Sequence, residues 1–227
     1  MIGRHHAISG ASVWFGVAGV AMHETAHPVE LVAATTICAA AAVLPDVDEP
    51  GSSVARSLGA VSETVSKVTN KMCGGHRNAS HSLLGAAIIG GLALWATTNL
   101  IAVAAAFAFL VFLAWYTLMP ILRHGLIALG IGAGAGIWVM QGHLSAPLLP
   151  IAVVVGYLTH LCGDMLTSEG VPLFWPVAKH FRAPLLGHTG STREAVLATA
   201  MLCALVGLIY TSGIWHHIIP AKHLTGF

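Results

Sequence analysis

Three short stretches of the sequence combine aspartate and histidine at spacings that suit a metal ion. In the first, LPDVDEPGSS, Asp46 and Asp48 directly follow Pro45. Residues two apart on an extended chain point the same way, so we expect these two carboxylates to converge. Uncompensated, they would repel each other, and a cation is therefore expected between them. A solvated acidic turn is the alternative interpretation of this stretch taken alone.

The other two stretches supply imidazoles. His76 and His81 lie in HRNASHS, where a loop that folds back can bring both rings to one ion, although this spacing alone also occurs by chance. His160 and Asp164 lie in HLCGD, and their i,i+4 spacing places both side chains on one face of a helix, which suits a shared metal. The alternative for the last pair is a helix-end aspartate bonded to a neighbouring histidine.

The donor set indicates the class of metal. The six side chains that can converge are Asp46, Asp48, His76, His81, His160 and Asp164. Nitrogen and oxygen donors without thiolates suit zinc, manganese or iron, and six of them can hold one or two ions; we expect zinc. His5 and His6 are the next candidates, and His124 is a weaker one. The four cysteines have no C-x-x-C spacing and do not suggest a thiolate site.

The composition shows what kind of protein positions these residues. Of the 227 residues, 56% are hydrophobic and only 8% are charged, whereas a soluble domain carries about a quarter charged residues. A soluble enzyme and a disordered chain are both excluded, and no run of Lys or Arg suggests nucleic-acid binding. We predict an all-α fold: a polytopic bundle of membrane helices forming a single integral membrane domain over residues 1–227.

Apolar runs bounded by charges and turn residues predict about seven membrane spans, since a span needs about 20 apolar residues. The predicted spans are 7–22, 29–43, 82–98, 101–119, 121–140, 148–163 and 195–213. This arrangement places all 10 Lys and Arg residues except Lys222 on one side of the membrane. The positive-inside rule then places that side and the N-terminus in the cytoplasm. The expected localisation is multi-pass in the inner (plasma) membrane.

Two long connections on the predicted cytoplasmic side, 44–81 and 164–194, carry all three stretches. The first contains apolar residues at helical spacing, namely Leu58, Val61, Val65, Val68 and Met72. They predict an amphipathic helix near 54–72, either lying on the membrane surface or packed over the bundle. In the second connection, PLFWP at 172–176 and Phe181 suggest aromatic anchors at the interface and a wall or lid beside the site.

The order and spacing of the three stretches resemble the YdjM-type family of membrane-bound, metal-dependent hydrolases. The resemblance rests on LPDVDEPGSS, HRNASHS and GYLTHLCGDMLTSEGVPLFWP and extends over roughly the first 180 residues. Ser80 stands where the family usually has threonine. The resemblance implies that the six residues named above form the metal site, together with an N-terminal histidine, which we take to be His6. The family's remote likeness to zinc-dependent phospholipase C and nuclease folds implies phosphoester substrates.

These observations favour a metal-dependent hydrolase acting on a phosphoester or lipid-like substrate at the cytoplasmic membrane face. Arg77 is expected to hold an anionic group, and Asp48 or Asp164 to act as general base. The alternatives are a transporter of metal ions or small solutes and a non-catalytic protein with a structural metal. Membrane lipid is the expected partner, nucleic acid is not expected, and the sequence does not indicate an oligomeric state.

Overall fold

The described part of the chain is helical. The computed structural model describes residues 1–21, 28–119, 125–142, 144–145 and 147–212. Within these ranges the only β-type pairings are two isolated bridges, Thr167 with Gly187 and Val171 with Phe181. The predicted all-α fold class is confirmed.

The helices match the predicted apolar segments. In chain order they are α1 (Gly3–Ala21), α2 (Pro28–Ala41), α3 (Ser53–Arg56), α4 (Ala60–Cys73), α5 (Leu83–Ala96), α6 (Leu100–Leu118), α7 (Gly125–Met140), α8 (Leu148–Met165) and α9 (Thr192–Thr211). Among the described residues, α6, α8, α9 and the stretch Pro28–Asp48 are long and apolar enough to cross a membrane, while α5 and Leu126–Met140 are apolar but shorter. The count of seven spans stays a prediction.

Small residues allow α2 to lie at the centre of the bundle, against α1, α6 and α8. A side chain at Gly156 of α8 would place its Cβ 2.3 Å from the carbonyl oxygen of Cys38, and one at Gly10 of α1 would lie 2.7 Å from the same oxygen. Close backbone approach through small residues is typical of helices packed in lipid. This packing brings the start of α1 and the end of α8 against the end of α2.

The predicted amphipathic helix near 54–72 is divided into α3 and α4. The break falls at Gly59, whose φ of +60° lies in the left-handed region that favours glycine. The apolar stripe of α4 is 51–81% exposed, and its members are Val61, Val65, Val68 and Met72. Because this face is not packed against the bundle, the structure favours a position on the membrane surface.

The second long connection, between α8 and α9, folds back across the end of the bundle. Its backbone is bonded to α8 through Ala183 N–H to Met165 O at 2.7 Å and Leu186 N–H to Leu166 O at 3.0 Å. It is also bonded to α5, where Leu83 N–H donates to the carbonyl oxygen of Leu173 at 2.9 Å. The connection is therefore fixed beside the residues that precede α5 and end α8.

Candidate metal centre

All the predicted site residues lie at one end of the bundle. Asp46 and Asp48 are on a 3₁₀ turn that follows α2, Leu44–Asp48, and His81 is on another that precedes α5, Ala79–His81. His160 and Asp164 are in the last turns of α8, and His6 is in the first turn of α1. These side chains are buried, at 0–8% exposure, although most come from separate parts of the sequence.

Four side-chain atoms from these elements face one another and are called the tetrad below: Asp46 Oδ1, His81 Nε2, His160 Nε2 and Asp164 Oδ2. The two imidazole nitrogens lie 3.1 Å apart, and each lies 3.6 Å from Asp46 Oδ1. Asp164 Oδ2 lies 3.6 Å from the His81 nitrogen and 3.5 Å from the His160 nitrogen. In a tetrahedral zinc site with bonds of about 2.0–2.2 Å, ligand atoms lie about 3.3–3.6 Å apart. The distances that each imidazole nitrogen makes to the other donors, 3.1–3.6 Å, are therefore close to those between the ligand atoms of one zinc ion.

The other nitrogen of each imidazole in the tetrad has an acceptor. His160 Nδ1 lies 2.8 Å from the carbonyl oxygen of Ala42, and His81 Nδ1 lies 3.3 Å from Asp48 Oδ2. A proton on Nδ1 leaves the lone pair of Nε2 facing the tetrad, which is how outer carbonyl and carboxylate groups orient metal-binding histidines. Burial by itself lowers the pKa of His81, but hydrogen bonds to Asp46 and Asp48 outweigh it and raise the pKa to about 9.

Asp48 does not point the same way as Asp46. The prediction of extended chain at this point is wrong, because these residues form a 3₁₀ turn, in which residues two apart lie about 120° from each other. Asp48 Oδ2 accepts from the Arg77 backbone N–H at 3.2 Å and from the Ser80 hydroxyl, and Oδ1 lies 2.7 Å from His76 Nδ1. Asp48 thus lies behind the tetrad and connects it to His76.

Two wider groups of three residues also meet around the tetrad. His6, His160 and Asp164 form one group, and Asp46, His76 and His81 form the other, with all ligand atoms of a group within 4.8 Å of one another. The tetrad takes two members from each group, and its imidazole nitrogens, one from each group, lie 3.1 Å apart. This geometry favours one ion between the groups over a separate ion in each.

His6 contacts the tetrad from one side. Its ring stacks on that of His160, with centroids 3.7 Å apart and an interplanar angle of 17°, and its Nε2 lies 3.1 Å from Asp164 Oδ1. His5 is directed elsewhere, with Nδ1 2.6 Å from Glu194 Oε1 at the start of α9. His124 lies outside the residues that the structure describes. Of the two that the structure describes, only His6 adjoins the tetrad.

Arg77 connects Asp164 to the second long connection. Its Nε lies 3.0 Å from Asp164 Oδ2. One terminal nitrogen lies 2.9 Å from Glu169 Oε2 and also donates a hydrogen bond to the Thr167 hydroxyl. The other terminal nitrogen donates to the Thr189 hydroxyl. The side chain is buried. Every guanidinium nitrogen of Arg77 therefore faces a protein oxygen. That Arg77 also holds an anionic group of a substrate stays a prediction. Sequence analysis did not identify the two threonines or Glu169, because no local spacing relates them to Arg77.

A polar cavity of about 500 Å³ opens beside the tetrad. Its wall includes Asp46 of the tetrad, the half-buried ring of His76, and the charged side chains of Glu49, Arg77 and Glu169. A solute in the cavity can therefore reach the tetrad from the Asp46 side and would contact His76 on the way.

Comparison with known proteins gives one consistent result. The family model described as "YdjM inner membrane protein" matches residues 1–217, which include every residue of the site. The inner membrane protein YdjM of Escherichia coli (strain K12) and that of Shigella flexneri are each 31% identical to the chain over 144 residues, or 63% of the chain and 50% of the relative. The chain thus spans about half the length of these relatives, and no solved structure matches it. On the strength of the family match, this chain belongs to the YdjM family of inner membrane proteins.

Proposed function

We propose that this protein is a metal-dependent hydrolase of the inner membrane, acting on a phosphoester or lipid-like substrate at the cytoplasmic face. The tetrad is the observation that supports the proposal most. Its two imidazole nitrogens each lie within 3.6 Å of both carboxylate donors, and one of the donors, Asp46, lines a polar cavity. Four protein donors alone would close the sphere of a structural zinc, so catalysis in this proposal requires that a water from the cavity join them as a further ligand.

The donors present fit a divalent cation. The Nε2 atoms of His81 and His160 face each other at 3.1 Å, so a cation must lie between two lone pairs that would otherwise repel. A proton on His81, whose pKa is raised, meets this need without metal, and a divalent ion bound by both nitrogens would take the place of that proton. Asp164 Oδ2 is buried and pairs with Arg77 Nε at 3.0 Å without a well-formed hydrogen bond, so this oxygen retains lone pairs for a cation. Two carboxylates and two imidazoles without thiolate suit zinc, with manganese or iron as alternatives.

The surrounding residues have separate roles in this proposal. When bound, a divalent ion would supply Lewis acidity and lower the pKa of a coordinated water. Asp48 and the Ala42 carbonyl orient the two imidazoles, while Arg77 and His6 hold Asp164 from either side.

His76 is the candidate proton carrier. Its ring is 30% exposed in the cavity wall and Asp48 holds its Nδ1, an arrangement that orients an imidazole for general acid–base work. In the hydrolysis of a phosphoester, the water oxygen bonds to phosphorus and the ester P–O bond breaks. His76 would accept the water proton and return it to the leaving oxygen, so that atoms and charge balance. Asp48 and Asp164 remain the alternative general bases.

The proposal predicts hydrolysis that depends on a bound metal. Protein purified without added metal should contain about one divalent ion per chain, as measured by elemental analysis. In nanodiscs of phosphatidylethanolamine and phosphatidylglycerol, it should release a water-soluble phosphate product or a freed lipid chain, detected by mass spectrometry. Chelation should stop this release and zinc should restore it. Folded, metal-free protein, or metal flux across liposomes without hydrolysis of either lipid, would contradict the proposal.

The variant Asp48→Asn tests whether Asp48 orients the metal-binding imidazole of His81 or binds the metal itself. Because Asn keeps the shape but removes the charge behind His81, we expect about 10–100-fold weaker metal affinity, the usual effect of altering an outer partner of a ligand. At saturating zinc the stoichiometry should stay that of the unaltered protein. Asp46→Asn, which alters a member of the tetrad, should bind more weakly still. Titration against a competing chelator measures both, and equal losses in the two variants would identify Asp48 as a ligand.

A further inference from the structure

A narrow apolar groove runs along the bundle between α5, α6 and α8. Its volume is about 160 Å³, and its lining consists of apolar side chains, among them Leu44, Leu92, Ala106, Phe109, Leu110 and Val153. The helices α5 and α6 follow each other in the chain, but α5 packs mainly on α8 and α6 mainly on α7. The groove is the space that this divergence leaves.

The groove has a buried floor and an exposed rim. Leu110 and Val153 on its floor are nearly fully buried, whereas Leu92 and Phe109 on its rim are 56% and 39% exposed. All four side chains lie on apolar helices, so the rim opens sideways towards the layer that the hydrocarbon of a bilayer occupies. Water in such a groove would lack the polar partners that it needs, and hydrocarbon is the occupant that the wall chemistry fits.

One end of the groove reaches the level of the tetrad. Leu44 in its wall belongs to the same 3₁₀ turn as Asp46, and the turn lies beside His160, whose Nδ1 is bonded to the Ala42 carbonyl. Val153 lies seven residues before His160 on α8, or about 10 Å along the helix axis at 1.5 Å per residue. The groove therefore begins at the turn that carries Asp46 and extends away from the tetrad into the apolar layer, as the tail of a lipid extends from its head group.

We propose that this groove binds one hydrocarbon chain of a membrane lipid whose head group reaches the tetrad. The inference rests on the proposed function and identifies the substrate class as an amphiphile that enters sideways from the bilayer. A second apolar cavity, of about 270 Å³, lies on the other side of α6 and is lined by Leu58, Phe112 and Leu129 among others. Its wall contains no residue of the turn that carries Asp46, so it serves as an internal comparison.

Photolabelling in nanodiscs tests the groove. The discs contain phosphatidylethanolamine with a small fraction of the same lipid carrying a diazirine in the middle of one chain, and labelled residues are mapped by mass spectrometry. Lipid surrounding the bundle can label the exposed residues, but a chain must enter the groove to label Leu110 and Val153. We expect both floor residues to be labelled in the unaltered protein.

Two matched variants make the result specific. Ala106→Phe places a ring in the groove and should abolish labelling of the floor, whereas Leu94→Phe, on the exposed surface of α5 outside the groove lining, should leave it unchanged. If Ala106→Phe does not fold, Leu92→Trp narrows the rim from an exposed position and should reduce the labelling. An unlabelled floor, or labelling that the filling variants do not reduce, would overturn the inference.

Metal content measured in the same samples separates this inference from the proposed function. If the protein holds its metal and the floor is not labelled, the lipid groove is wrong and the metal centre stands. If the floor is labelled in folded protein that binds no metal, the proposed hydrolase is wrong, and with it the assignment of the bound lipid as substrate.

Discussion

Replacing His160 with alanine should leave the purified protein without its divalent ion. The imidazole supplies a tetrad donor and lies within 3.1–3.6 Å of the other three donors. Altering an outer partner of a ligand costs about 10–100-fold in affinity, so removing a ligand should cost more than about 100-fold. Elemental analysis of the purified protein and zinc titration against a chelator measure the loss.

The control for this experiment is His188→Ala, which removes an exposed imidazole from the second long connection. It should keep the metal content of the unaltered protein. His160 is fully buried, so the alanine variant leaves a cavity in the bundle. His160→Gln fills more of that cavity and is measured beside it. Circular dichroism should show that both His160 variants remain helical. Unchanged metal content in a folded His160 variant would contradict the tetrad as the binding site.

The residues of the centre were predictable from sequence where local spacing determines their direction. The i,i+4 spacing of His160 and Asp164 on an apolar segment places both side chains on one face of α8, and the structure has them there with Nε2 and Oδ2 3.5 Å apart. Ionisable side chains within a membrane helix cost free energy and are therefore rare unless they serve a function. This rarity made the stretch identifiable from the sequence.

The division of roles between Asp46 and Asp48 was not predictable from sequence. Their spacing suggested two carboxylates directed at the same ion, but the direction depends on whether the residues after Pro45 are extended or form a 3₁₀ turn. In the turn that the structure shows, Asp46 faces the tetrad while Asp48 turns towards His76 and His81. Backbone conformation over five residues thus decides which aspartate is a candidate ligand.

Contacts across the bundle were also beyond sequence reasoning. The stacking of His6 on His160 depends on Gly10 and Gly156 allowing α1 and α8 to approach α2 closely. The contacts of Arg77 with Glu169 and Thr189 similarly require the second connection to fold back across the end of the bundle. No local pattern encodes either arrangement, because each depends on how three separate elements pack.

Arg77→Met should destabilise the protein strongly, because it removes the cation beside Oδ2 of the buried Asp164, whose Oδ1 is paired with the Met1 ammonium. Breaking a buried ion pair from one side costs about 3–5 kcal/mol. For a chain of this size, that loss corresponds to a fall in melting temperature of about 6–20 °C. Tryptophan fluorescence during heating measures it. Arg77→Lys should restore only part of the stability, since an ammonium group cannot contact Asp164, Glu169 and both threonines together.

A metal in the tetrad makes this effect depend on chelation. With a divalent ion bound, Asp164 keeps a cationic neighbour after Arg77 is removed, and the fall in melting temperature should be smaller. With the ion removed by a chelator, Asp164 keeps only the Met1 ammonium as a cationic neighbour, and the fall should be larger. Arg182→Met, at an exposed arginine of the second long connection, should change stability by no more than about 0.5 kcal/mol in either condition. If chelation leaves the effect of Arg77→Met unchanged, Asp164 does not share its charge between the arginine and a metal, and the tetrad would need a different fourth donor.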